Sequence, residues 1–164
     1  MAGRLDWLSR TPVLVGAFVL FLVTGALFGV FMPAAGGDLL DMQMTGEAAQ
    51  SQLAAMDSGE RRAHVWITAI VDTLYPLAYG AVLAGLAWRL GAGWRALLVV
   101  PALVGMLADF AENGVQIAAL SGAAGLLAVK DIITPLKFGA IALAALIAIV
   151  LILAAVLRRL TGRG

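Results

Sequence analysis

Long apolar blocks separated by short polar or glycine-rich stretches dominate the chain, over about 13–32, 65–88, 96–120 and 132–157. A helix rising 1.5 Å per residue needs about twenty such residues to cross a hydrocarbon core roughly 30 Å thick, and each block is long enough. The pattern therefore predicts four transmembrane helices. Pro33 with Gly36 and Gly37 closes the first, Gly91 and Gly93 punctuate the connection after the second, and Ser121 to Gly125 follows the third. Connections this short make neighbouring helices antiparallel, so the expected fold is an all-α, four-span antiparallel bundle forming a single transmembrane domain. Pro101 predicts a kink near the start of the third helix. The first block exceeds the roughly 7–15 residues of a cleavable signal core, so it reads as a retained anchor although Pro33-Ala34-Ala35 loosely resembles a cleavage site.

Residues 36–63 carry most of the remaining polarity. Thr45 is placed to cap a short helix over about 46–56 whose Ala49, Leu53 and Met56 fall on one face, predicting a surface helix that lies on the membrane or lids the bundle. Asp57 followed three residues later by Glu60 is a capping-box pattern, which starts the second long helix near Ser58. Ahead of the first helix, Arg4 and Arg10 flank Leu5, Trp7 and Leu8, an amphipathic segment suited to a membrane interface.

Composition sharpens the class. At 62% hydrophobic and 13% charged, the chain has too few polar side chains to cover a soluble domain of 164 residues. Without cysteine it has no disulfide, thiolate or cysteine metal site. A net charge of +1 gives no support for a nucleic-acid partner. The charge is unevenly placed: Arg4, Arg10, Arg89, Arg95, Arg158, Arg159 and Arg163 fall at the termini and second connection, against Arg61, Arg62 and Lys130 in the first and third. Seven against three predicts both termini in the cytoplasm and the acidic segment 36–63 outside.

Polar residues inside the apolar blocks are the unusual feature. Asp109, Glu112, Asn113 and Gln116 recur at i, i+3, i+4 and i+7, forming one stripe on the third helix. An acid near mid-bilayer costs roughly 2.5 to 3.5 kcal/mol, so this stripe must face compensating groups. His64, Thr68, Asp72, Tyr75 and Tyr79 share a face of the second helix, and Lys130, Thr134 and Lys137 a face of the fourth. Counting at 1.5 Å per residue, Asp72 lies about 10 Å below the outer boundary, Lys137 about 7–8 Å, and Glu112 with Asn113 at a similar depth. The expectation is one polar layer in the outer half of the bilayer. Its charges do not balance, since Asp72, Asp109 and Glu112 meet Lys137 alone. Pro76 and Pro135 stand beside these residues, where loosened helix backbone is tolerated only against protein or a cavity.

Plainer explanations compete with a site. The layer reads equally as a structural clasp fixing helix order. Asp38, Asp41, Glu60 and His64 are expected to be solvated loop groups rather than cation ligands. One histidine without cysteine gives no zinc or haem pattern, and no phosphate loop or HExxH motif is present. Neither metal nor cofactor is expected.

The combination Leu40-Asp41-Met42-Gln43, Gly59-Glu60-Arg61-Arg62, Asp72 with Tyr75-Pro76 and Tyr79, Asp109 with Glu112-Asn113, and Thr134 with Lys137 resembles a family of small, uncharacterised bacterial four-span membrane proteins. That resemblance implies residence in the bacterial cytoplasmic membrane and that these residues work together. In layout alone the chain is similar to four-span sterol isomerase and sigma-2-receptor-like proteins, whose motifs do not align with it. The expected function is binding of a membrane lipid or small amphipathic molecule at Asp72, Tyr75, Tyr79, Asn113, Gln116, Thr134 and Lys137. Asp109 or Glu112 is the expected proton donor if catalysis follows. The competing expectation is a non-catalytic accessory or assembly subunit. In it, small-residue faces at Gly25/Gly29 and Gly80/Ala84 dock a membrane-protein partner or a second copy of the chain.

Overall fold

A computed structural model describes residues 5–162, and among these the secondary structure is helical, with no strand. Arg4 and Arg163, used in the charge count above, lie outside the described residues. Helix α1 covers Thr11–Phe31 and tightens into a 3₁₀ turn over Met32–Ala35. Helix α2 is Gly46–Ala55, α3 runs over Ser58–Leu90, α4 is Val100–Leu120 and α5 is Lys130–Leu160. Four stretches built on α1, α3, α4 and α5 are long and apolar enough to cross a membrane. The main helix-to-helix packing is α4 on α5 and α1 on α3, with α3 also against α4 and α5.

Helix starts follow local chemistry. The Thr45 hydroxyl accepts the Ala48 N–H, and at α3 Asp57 accepts the N–H groups of Gly59 and Glu60 while Glu60 accepts that of Asp57. The capping box places the start of α3 at Ser58, well before its apolar block. The Pro101 kink does not form inside a helix. A separate turn over Arg95–Leu98 ends at Val99, and Pro101 falls in the first turn of α4, where its missing N–H breaks no internal bond.

Helix α2 lids the bundle. Its Ala49 and Leu53, with Met56, bury against Leu40, Ala119, Leu120 and Leu127. The 3₁₀ stretch Ala124–Val129 lies directly beneath. Contact there is backbone to backbone: a Cβ on Gly46 would stand 2.5 Å from the Leu127 carbonyl oxygen, and the Gly46 N–H donates to Asp131 Oδ1 at 2.8 Å. Arg61 on α3 completes the joint by donating to the Leu53 and Met56 carbonyls at the end of α2.

Small residues serve packing within the chain. Gly80, assigned above to a partner-docking face, meets Met106 of α4, and Ala84 is buried with Ala87, Trp88, Val99, Ala102 and Ala144. That face is therefore occupied internally. Gly25 approaches Tyr75, while nothing lies within 4 Å of a Cβ at Gly29.

Because rigid backbone lies opposite Gly46, Gly46→Ala is expected to destabilise the protein by about 1–3 kcal/mol, the usual cost of overpacking. Thermal unfolding in detergent measures the loss, and hydrogen exchange should localise it to residues 46–55.

Candidate functional site

The polar stripe of α4 faces inward throughout: Asp109, Glu112, Asn113 and Gln116 are all buried. Glu112 is the most heavily paired of them. Its carboxylate contacts the ammonium groups of both Lys130 and Lys137 and accepts the Thr134 hydroxyl at 2.6 Å. Spacing on α5 explains the triple grip, since Lys130, Thr134 and Lys137 lie on successive turns of one face. Lys130, counted above as a loop charge, has no exposed surface and belongs to this cluster.

Lys137 also reaches Asp109 of the stripe and one acid outside it. Its Nζ contacts Asp41 Oδ1 and lies 3.7 Å from Asp109 Oδ1, while the Tyr79 hydroxyl donates to Asp109 Oδ2 at 2.8 Å. Asp41 is also placed differently from the sequence expectation. It was expected to be a solvated loop charge, but the 3₁₀ turn Leu40–Met42 carries it inward. Leu40 is fully buried, and its N–H donates to His64 Nε2 at 3.2 Å, so the histidine, likewise expected in solvent, is sealed inside. A buried N–H needs such a partner. With Leu40 fixed on one side, the next side chain points to Lys137, and Gln116 Nε2 approaches Asp41 Oδ1 at 3.4 Å.

Burial pushes the Asp41 carboxyl up, but Lys137, by charge and hydrogen bond, outweighs it and holds the group below its ordinary value of 3.8; Lys130 adds to the effect.

Asp72 enters by a different route. Pro76 stands four residues later, has no N–H, and so frees the Asp72 carbonyl from the helical ladder. Asn113 Nδ2 donates to that carbonyl at 2.7 Å, joining α3 to α4. Just before Asp72 the helix widens into a π turn over Ile67–Val71, a feature frequent at functional sites.

These groups form two layers. Asp41, Asp72, Tyr75, Tyr79, Asp109 and Lys137 line a cavity of about 590 Å³, whose remaining wall is largely apolar, including Phe18, Phe21 and Phe28 of α1 and Phe138 and Ile141 of α5. Glu112, Asn113, Gln116 and Thr134 are not among its lining residues and support the layer from behind. Tyr75 stacks on Phe21 at 5.0 Å and meets Phe28 and Tyr79 edge-on. Carboxylate oxygens of Asp41, Asp72 and Asp109 all lie within 4.8 Å of one another, a spacing a metal ion could bridge. The Lys137 ammonium already contacts two of the three, which sets a fixed positive charge against any ion there.

No protein-family model matches the chain, and no curated protein or solved structure matches it either.

Two outcomes follow from these contacts. Lys130→Met strands part of the charge on Glu112 in a fully buried setting, and a loss of about 3–5 kcal/mol is expected in unfolding experiments. For Asp41, a depressed folded value means that its stabilisation is present above 3.8 and is lost as pH falls through the acid range. Protection of the amides at 38–43, relative to their intrinsic exchange rates, should therefore fall selectively below about pH 4, and Asp41→Asn should remove that pH dependence.

Proposed function

We propose that the chain is an integral membrane protein whose cavity binds a lipid or small amphipathic molecule. The observation that carries this reading is the cavity itself: aromatic and aliphatic walls ending on Asp72, Asp109 and Lys137. Its 590 Å³ falls within the range of small-molecule sites, and a polar end on an apolar chamber is the shape an amphiphile fills.

In this reading the four long helices form an antiparallel bundle in the bacterial cytoplasmic membrane, with both termini in the cytoplasm. Large apolar side chains exposed along α1 and α5, among them Val19, Leu22, Leu146, Ile149 and Leu153, support a hydrocarbon surrounding. The burial of Lys130 supports the orientation, because it leaves Arg61 and Arg62 as the basic residues of the outer connections. Convergence of Asp41, Asp72, Tyr79, Asp109, Glu112, Asn113, Thr134 and Lys137 on one cluster supports reading them as a single site. Chemistry on the bound molecule would run through Asp109, which lines the cavity and carries a hydrogen bond from Tyr79. Glu112 stands behind it, tied to both lysines.

A second reading, an accessory or assembly subunit held in register by a clasp, is favoured by that same Glu112 network, which is complete without any ligand. The cavity separates the two. Gly25 lines it, and a Cβ there meets only Tyr75 Cε2 at 3.6 Å, ordinary contact, so a larger side chain can fill the chamber. Lipid mass spectrometry of the purified protein is expected to find a co-purifying amphiphile that Gly25→Leu depletes. An unchanged lipid complement in a folded Gly25→Leu protein favours the subunit reading.

A further inference from the structure

The cavity's charges point to the class of molecule it takes, an inference that rests on reading the cavity as a ligand site. Four carboxylates, Asp41, Asp72, Asp109 and Glu112, share the cluster with two ammonium groups, Lys130 and Lys137. Glu112 engages both lysines, and Lys137 is further drawn onto Asp41 and Asp109. Surrounded by three acids, Lys137 is not free to receive an anionic head group.

Asp72 is the unmatched member. It is 3% exposed, has no ion pair among the described residues, and its Oδ2 has no hydrogen-bond partner, yet it lines the cavity beside Asp41 and Asp109. A buried acid in that position needs a donor or a cation. Aromatic side chains line the same cavity, with Phe21, Phe28 and Tyr79 packed around Tyr75. Aromatic faces attract cations, and most strongly where water is excluded.

We propose that the cavity binds an amphiphile bearing an alkylammonium group, with its cationic head against Asp72, the acid that Lys137 does not contact, and its tail along the Phe18, Phe28 and Ile141 walls. An anionic head would find both ammonium groups already paired and would lie against acidic side chains. A bare inorganic cation would leave the apolar chamber unfilled.

The test is a charge series on the full chain in neutral maltoside micelles. Dodecyltrimethylammonium, dodecanol and dodecanoate are titrated, Mg²⁺ and Na⁺ are added alone, and the unfolding midpoint and bound mass are followed. Expected is saturable binding of dodecyltrimethylammonium at least tenfold tighter than dodecanoate. Asp72→Asn should weaken binding of this cation about tenfold, the loss of one close ionic contact. Tighter binding of dodecanoate or dodecanol overturns the cationic assignment while leaving a ligand site in place. A stabilisation by Mg²⁺ or Na⁺ alone that matches the amphiphile also overturns it. Saturable binding of none of these probes overturns the ligand-site reading as well. Should Asp72→Asn fail to fold, the series on the unaltered protein decides alone.

Discussion

The structure depends on how two buried ammonium groups are neutralised. Lys130 and Lys137 are among the largest fully buried side chains in the chain, and each would be prohibitively costly without a partner. Glu112 answers both, Thr134 fixes its orientation, and Asp41 and Asp109 complete the shell of Lys137. The helices must bring these groups together or leave charge in an apolar interior. That requirement sets the rotation of α4 against α5 more narrowly than small apolar side chains such as Ala102 and Ala144 could.

The same interaction reaches the connecting segment. Asp41 reaches Lys137 beside a Leu40 that is anchored twice, by the apolar cluster beneath α2 and by the bond from its N–H to His64. The lid, the turn before it and the first turns of α3 therefore stand on a polar contact as much as on the apolar cluster under α2. Arg61 and Asp131 reinforce the arrangement by tying α2 to α3 and α5.

Much of this was legible in the sequence, and the reasons differ by residue. The stripe Asp109, Glu112, Asn113 and Gln116 follows from helical period alone, and so does the shared face of Lys130, Thr134 and Lys137. The capping box and the Thr45 cap are local chemistry and depend on nothing distant. Asp41 and His64 were misplaced because the burial of a loop residue is decided by where its neighbours anchor, and Leu40 alone carried that signal. Lys130 was misread for a related reason: it opens α5, a position that counts as a loop until α2 is seen to cover that end. Pro76 was noted beside Asp72, but which carbonyl it frees and which amide answers it required the packing of α3 on α4.

That repair has a mechanical meaning. Pro76 interrupts α3 from within, whereas the group that closes the gap belongs to α4. The weak point of one helix is thus latched by its neighbour, and bending there cannot occur while Asn113 keeps its grip. Any hinge at this level moves two helices in concert, which makes the joint between them, not either helix alone, the unit of flexibility.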